Sequence, residues 1–257
     1  MRQDHSDQAG DETVSPSGES ASMPPSSPAS RWQGWRPFFL PAALLVAAVA
    51  ALAVDFPLAQ WRREQTCPGE LQNLLQTCEP FGDGLGVLVI ALAIHQLDPR
   101  RRWALPRLLV CSLGAGLVAN LIKLLIARVR PRYFDFQGGV WATFEGWFPL
   151  LKGDRWTLLG DWLPALNTDS RWQSLPSGHA ATAAGLAMAL IWIYPAGQKL
   201  FFLLVVLVAC HRIEAEAHYL SDVLGGAAVG SIVATACLKT GRLVRWFDRL
   251  EEHWRSR

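Results

Sequence analysis

The hydrophobic positions of the chain are gathered into six runs, which follow a polar segment over residues 1–30. The runs extend from Pro37 to Val54, Phe81 to Leu97, Leu108 to Ala127, His179 to Pro195, Leu200 to Cys210 and Tyr219 to Leu238. An α-helix of about 20 residues crosses the hydrocarbon core of a bilayer, so runs of this kind are typical of membrane spans. The pattern predicts an all-α fold, a bundle of six transmembrane helices within a domain over residues 37–240.

Two of these runs allow a second interpretation. The run from Phe81 to Leu97 is short and is interrupted by Asp83 and His95, so by itself it fits a buried helix as well as a span. The first run also fits a cleaved signal peptide, but the polar segment before it is long for one. We therefore expect an uncleaved first helix.

The chain ends on both sides of the predicted bundle are polar. Ser, Pro and acidic residues dominate residues 1–30, and such a composition buries too little apolar surface to offset the entropy of ordering. We expect residues 1–30 to form a disordered tail and residues 241–257 to form a cytoplasmic C-terminal tail.

Basic residues mark one side of the predicted bundle. They flank the runs on that side as Arg31, Arg36, Arg100, Arg101, Arg102, Arg107, Lys199, Lys239, Arg242, Arg245 and Arg249. Cytoplasmic loops carry an excess of Lys and Arg, so both termini are predicted to be cytoplasmic. The loops 60–80, 128–178 and 211–218 then face the periplasm or lumen, and the protein is predicted to be integral to the cell inner membrane.

The composition agrees with a membrane protein and disfavours other classes. Hydrophobic residues make up 51% of the chain and charged residues 18%, and 24 basic residues stand against 22 acidic ones. That balance gives no basic field for nucleic acid, so membrane lipids are the expected surroundings. Five cysteines without a Cys-x-x-Cys pair predict neither a disulfide scaffold nor a zinc site. Pairing of Cys67 with Cys78 in the first outer loop stays open, because it requires a turn between them.

Charged residues inside membrane spans are costly, and here they gather instead at helix ends on one predicted side. The third run ends in KLLIARVRP, which contains Lys123 and Arg130. Three cations from separate segments, these two and Arg212, suit a phosphate dianion. The stretch PSGH begins the fourth run, and a helix N-terminus binds anions through its free N–H groups, here those of Ser177 and Gly178.

Histidines accompany these cations. His218 and Asp222 are four residues apart, so they share one helix face if the last helix begins early enough. A carboxylate at that spacing holds one imidazole N–H and leaves the other nitrogen free to attack phosphorus. His179, from another helix, is then available as a general acid.

Each motif also has an ordinary structural interpretation. A lysine near a span end usually snorkels to the interface, PSGH fits a plain helix start, and a His–Asp pair can be structural. A transporter whose polar groups line a pathway is a further alternative, but it predicts ionisable groups near mid-membrane rather than at one edge. The combination of the motifs on one side favours a phosphate site.

The three motifs, K-x6-R-P, P-S-G-H and R-x5-H-x3-D, resemble the signature of the type 2 phosphatidic acid phosphatase superfamily, the lipid phosphate phosphatases. The resemblance implies a metal-independent enzyme without a cofactor that works through a phosphohistidine. It implies that His218 is the nucleophile, Asp222 its orienting partner and His179 the acid. The implied phosphate cradle is Lys123, Arg130, Ser177, Gly178 and Arg212. The chain departs from the family at His211, where Ser is common, which puts one polar contact to phosphate in doubt.

The predicted function is hydrolysis of a lipid phosphate monoester or diphosphate at the outer membrane face. The alternative is a lipid phosphotransferase that passes the phosphate from a lipid diphosphate to an acceptor lipid, because both reactions share the first step. The sequence leaves open which lipid is cleaved, the oligomeric state and the role of the loop 128–175.

Overall fold

The computed structural model describes residues 36–65, 67–147, 151–152, 155–156, 170–239 and 241–255. The predicted disordered tail, residues 1–30, lies outside the described residues. The helices are α1 (Arg36–Ala51), α2 (Asp55–Glu64), α3 (Gly69–Cys78), α4 (Gly84–Leu97), α5 (Leu105–Lys123), α6 (Gly178–Ile193), α7 (Gln198–Glu214), α8 (Leu220–Leu238) and α9 (Gly241–Arg255). Two antiparallel pairs of short strands accompany them: β1 (Ile126–Arg128) with β2 (Phe144–Trp147), and β3 (Leu151–Lys152) with β4 (Arg155–Trp156).

Several helical segments are long and apolar enough to cross a bilayer. Three do so continuously: Pro99–Lys123, Pro195–Glu214 and Leu220–Leu238. Two bent pairs join them if each counts as one span, α1 with α2 at 68° and α3 with α4 at 71°, which gives three to five candidates. Helix α6 is apolar but shorter. Each of the six predicted runs contains a helix, whereas the count of six spans stays a prediction.

The core lies where α5, α6 and α8 pack together. Helix α6 is rich in alanine and is buried over most of its length, because small side chains let neighbouring backbones approach. Gly226 and Gly230 of α8 show the same effect. A Cβ atom at either position would overlap a backbone carbonyl of the α6 segment, that of Ser177 or that of Ala181. This close packing fixes the two helices that begin at the PSGH stretch and just after His218.

Helix α3 and the short 3₁₀ turn Glu79–Gly82 form an arm that leads into α4. Asp83 caps α4 by accepting a hydrogen bond from the Leu85 backbone N–H (3.0 Å). Cys67, just before α3, and Cys78, its last residue, are free thiols. The helix is continuous from Gly69, so the turn that a disulfide requires is not formed.

The segment predicted as a C-terminal tail contains helix α9, which packs on α8 and on the 3₁₀ turn Pro99–Ala104 that precedes α5. The buried Arg107 side chain pairs with Asp248 and Glu251, each at 2.6 Å. Phe247 of the same helix is buried, and the Arg107 guanidinium lies 5.2 Å from its ring centroid. These contacts attach residues 241–255 to the helical core.

Candidate active site

The three motifs meet around one cavity of about 410 Å³. The C-terminal ends of α5 and α7 lie at this cavity. The N-terminal end of α6 lies there too, as does His218 in the segment just before α8. Antiparallel neighbours therefore bring distant parts of the chain to one end of the bundle. Six of the eight predicted site residues line the cavity: Lys123, Arg130, Gly178, His179, Arg212 and His218.

The cationic groups of this cavity have unused hydrogen-bonding capacity. Lys123 is only 8% exposed, and no carboxylate of the described residues forms a salt bridge with it or with Arg130. The Nε atoms of Arg130 and Arg212 are buried without a hydrogen-bond partner in the described part of the chain. Burial and the charges of Arg132 and Arg212 lower the pKa of Arg130, which reflects this crowding of positive charge. Buried unpaired donors are costly, so the arrangement fits an anionic ligand.

The N-terminus of α6 differs in part from the prediction. The Ser177 hydroxyl caps the helix by accepting from the Ala180 N–H (3.5 Å), and the Ser177 N–H donates to the Asp222 carbonyl (2.9 Å). Ser177 is fully buried and does not line the cavity, so the structure assigns its hydroxyl to a helix cap, and its contact with phosphate stays a prediction. Gly178 does line the cavity. A Cβ atom there would lie 3.7 Å from Lys123 Nζ.

The His218 ring is buried with one nitrogen held by the backbone. Nδ1 lies 2.7 Å from the Ser174 carbonyl oxygen. A carbonyl only accepts hydrogen bonds, so Nδ1 carries the hydrogen and Nε2 is left unprotonated. Burial, followed by the charges of Lys123, Arg130 and Arg212, lowers the pKa of His218 well below its ordinary value. The imidazole is therefore neutral near pH 7, as a nucleophile must be.

Asp222 acts on this imidazole indirectly. Its Oδ2 atom lies 3.9 Å from His218 Nδ1, which is too long for a hydrogen bond. The same oxygen accepts from the Ser174 hydroxyl (2.6 Å) and from the Tyr219 N–H (2.9 Å). The predicted direct contact is thus corrected, because the capping-box geometry at the start of α8 directs the carboxylate at the backbone. Ser174 links the two side chains, through its hydroxyl to Asp222 and through its carbonyl to His218.

No sequence motif predicts the buried ion network that lies behind Asp222. The Arg128 guanidinium donates to Asp222 Oδ1 and, at 2.7 Å, to Asp55 Oδ2. Ser221 joins it, since its hydroxyl donates to Asp55 Oδ2 (2.5 Å) and its N–H to Asp55 Oδ1 (3.0 Å). Arg128 lies within the first motif, but nothing in the sequence pairs it with an aspartate at the bend between α1 and α2.

Glu79 was also missed, since it lies in the 3₁₀ turn after α3, far from the motifs in sequence. Its Oε1 atom accepts from Arg212 Nη1 at 2.5 Å and lies 3.4 Å from His179 Nε2. The other oxygen, Oε2, lies 3.8 Å from Nδ1 of His211. His211, the departure from the family motif, is therefore buried beside Glu79 rather than in the wall of the cavity.

A second, mainly apolar cavity of about 760 Å³ adjoins the first. Both cavities are lined by His179 and Asp83, so the histidine stands at their junction. The apolar lining of the second cavity comes chiefly from Phe81, Leu85, Val89, Ile90 and Leu204. The 3₁₀ turn between α3 and α4, together with α4 and α7, thus borders both cavities, and α5 and α6 form most of the remaining wall of the polar one. Among the described residues, no group of three His, Cys, Asp or Glu side chains is arranged to hold a metal ion.

Comparisons with known proteins identify two similar sequences, a similar fold and a family. The lipid A 1-phosphatases of Rhizobium johnstonii and Rhizobium etli are each 25% identical to this chain, over 221 and 200 residues. These alignments cover 79% and 71% of this chain, and 78% and 75% of the relatives. The crystal structure of a transmembrane PAP2-type phosphatidylglycerolphosphate phosphatase from Bacillus subtilis superposes with a TM-score of 0.51 at 19% identity, covering 82% of this chain and 96% of that one. A sequence model of the PAP2 superfamily matches residues 104–246, more than half of the chain, and the chain belongs to that superfamily.

Proposed function

We propose that the chain is a membrane-bound lipid phosphatase that hydrolyses a lipid phosphate monoester or diphosphate through a phosphohistidine. The observation that carries the proposal is the convergence of Lys123, Arg130 and Arg212 with His179 and His218 around one cavity. Three cations with unused donors match the charge of a phosphate, and two histidines supply a nucleophile and an acid.

The reaction runs in two steps. The cations hold the phosphate while His218 Nε2 attacks phosphorus, and the bond between phosphorus and the lipid oxygen breaks as His179 donates a proton to that oxygen. Water then attacks the phosphohistidine, gives its proton to the now neutral His179, and releases inorganic phosphate with His218 restored. Positive charge fixed in the cavity stabilises the transition state of both steps, so the chemistry as proposed requires no metal ion.

The apolar cavity supports a lipid rather than a small soluble substrate. It meets the polar cavity at His179, the residue that is to protonate the leaving oxygen. The hydrocarbon part of a lipid substrate, which continues from that oxygen, can then be buried against the apolar cavity. Since the relatives are named as phosphatases of lipid A and of phosphatidylglycerolphosphate, these two phosphates head the list of candidate substrates.

For the membrane arrangement we propose six spans within residues 37–240, with both termini in the cytoplasm. The short helix α6 and the bent pairs complete the count with the three continuous spans. The distribution of Lys and Arg supports a cavity at the periplasmic or lumenal face of the inner membrane. A site there would meet lipid phosphates of the outer leaflet.

The test is phosphate release from a panel of lipid phosphates in detergent with EDTA, comparing wild type with His218→Ala. His95→Ala is the matched control, because His95 lies near the far end of α4 from the cavity. We expect EDTA-resistant release from at least one lipid, abolished in His218→Ala alone. Activity retained in that variant would contradict the phosphohistidine. Labelled phosphate that moves to an acceptor lipid, without release, would favour the phosphotransferase instead.

A further inference from the structure

Among the described residues, Glu79 is the carboxylate that contacts both Arg212 and His179, two residues that line the polar cavity. A single oxygen, Oε1, accepts from Arg212 Nη1 at 2.5 Å and lies 3.4 Å from His179 Nε2. No hydrogen bond joins Glu79 to the imidazole, so a proton on Nε2 is held near the carboxylate without being locked to it. The Glu79 side chain is 30% exposed and that of His179 31%, so a substrate can reach both.

The charges around His179 explain why a carboxylate is needed there. Burial of the imidazole opposes its protonation, and so do the charges of Arg212 from α7 and Lys123 from α5, which line the same cavity. Glu79 and Asp83, from the segment between α3 and α4, favour it. Asp83 is engaged as the cap of α4, and its carboxylate makes no salt bridge with His179 among the described contacts. Glu79 thus provides the negative charge nearest to the ring, and it also neutralises Arg212.

We propose that Glu79 is a positioning residue that favours the protonated form of His179 and directs it at the junction of the two cavities, so that it protonates the leaving lipid oxygen. This proposal rests on the proposed function. In the first step the phosphorus–oxygen bond breaks, the lipid oxygen keeps the electron pair, and the proton moves to it from His179. Glu79 itself exchanges neither a proton nor an electron pair.

The experiment compares Glu79→Gln with wild type on substrates whose leaving groups differ in their need for a proton. Glutamine keeps the size and the ability to accept from Arg212 but removes the charge. We expect kcat/KM for the best lipid of the panel, an alkoxide leaving group, to fall by about tenfold or more. For p-nitrophenyl phosphate, whose leaving group needs no proton, we expect a change of about twofold or less.

Three further measurements sharpen the result. Glu70→Gln makes the same substitution at an exposed position of α3 and should behave as wild type. Glu79→Asp keeps the charge and should recover part of the lost activity. With the lipid substrate, the alkaline limb of the kcat/KM profile in Glu79→Gln should move to lower pH by about one unit, because the protonated imidazole loses a neighbouring charge.

The outcomes separate the hypotheses. An equal loss on both substrates would show that Glu79 acts only on binding or folding, and an unchanged lipid activity would show that the carboxylate is dispensable; either overturns the proposal. If wild type does not cleave the aryl phosphate, the pH profile alone decides, and an unmoved alkaline limb overturns it. Wild type that releases no phosphate from any substrate, or His218→Ala that still does, marks instead a failure of the proposed function.

Discussion

Arg128 and Arg130 are separated by one residue, yet they lie in two regions of opposite character. Arg128 is fully buried, and its guanidinium donates to Asp55, Asp222 and Ser221. Arg130 lines the cavity, and its buried Nε atom has no partner among the described residues. The same side chain thus stabilises structure where its donors are satisfied and offers a binding site where they are not.

The largest expected effect is loss of stability on removal of the buried arginine. In Arg128→Met, two buried aspartates lose their counter-ion, and breaking such a network costs about 3–5 kcal/mol. We expect a marked fall in the thermal unfolding midpoint in detergent, together with loss of activity through misfolding. Arg128→Lys, which keeps the charge but not the fork of donors, should be intermediate. An unfolding midpoint equal to that of wild type would show that the network is not structural.

The corresponding substitution of Arg130, in the cavity, should lower activity and leave stability nearly unchanged. Arg130→Ala removes a donor to the phosphate, and loss of one such donor typically costs ~10²–10³ in rate. Since no described carboxylate pairs with Arg130, none is left uncompensated, and we expect the unfolding midpoint to stay close to that of wild type. Arg212→Ala should be similarly impaired. Normal turnover in either variant would remove that arginine from the proposed cradle.

A smaller effect is expected on the pH dependence of the nucleophile. His218 must be neutral to attack, so activity is lost as the pH falls through its pKa. Because burial and the three cations lower that pKa, we expect the acid limb of kcat/KM to lie below pH 6.5. Arg130→Gln removes one of the charges, so the pKa of His218 rises and the limb moves to higher pH.

The control for this shift is Arg130→Lys, which keeps the positive charge and loses the fork. The ionisation of the substrate phosphate is common to both variants, so only a change in His218 separates them. Equal limbs in the two variants would contradict the electrostatic origin of the lowered pKa.

The contrast between the two arginines also shows which parts of the molecule the sequence makes predictable. Lys123, Arg130, His179, Arg212 and His218 were predicted because charged residues are costly inside spans, and these gather in short motifs at helix ends on one predicted side. Glu79 and Asp55 carry no such signal, because each is a lone acidic residue beside a turn. Their partners are 133 and 73 residues away along the chain, so only the packing of the helices brings them together.

The indirect hold on His218 has the same explanation. The spacing of four residues correctly brings His218 and Asp222 near one another, at 3.9 Å between Nδ1 and Oδ2. The helix begins at Leu220, however, so His218 precedes its first turn and lies off the helical face that the spacing assumes. The imidazole therefore turns to the carbonyl of Ser174, a residue that no motif contains.

The smallest expected effect concerns the apolar cavity, which under the proposed function binds the hydrocarbon of the lipid while the polar cavity binds its phosphate. Val89 lines it and is 59% exposed, so Val89→Trp fills the space with little strain on the core. Displacing about two CH₂ groups of a lipid chain costs about 1.6 kcal/mol, or roughly tenfold in kcat/KM. A short water-soluble alkyl phosphate does not reach this surface and should be cleaved as before. Val49→Trp, at an exposed position of α1 outside both cavities, should change neither activity. If the tryptophan hinders only hydrocarbon, it leaves the phosphate chemistry intact and slows the long substrate alone. Equal losses on the long and the short substrate would therefore show that the lipid chain binds elsewhere.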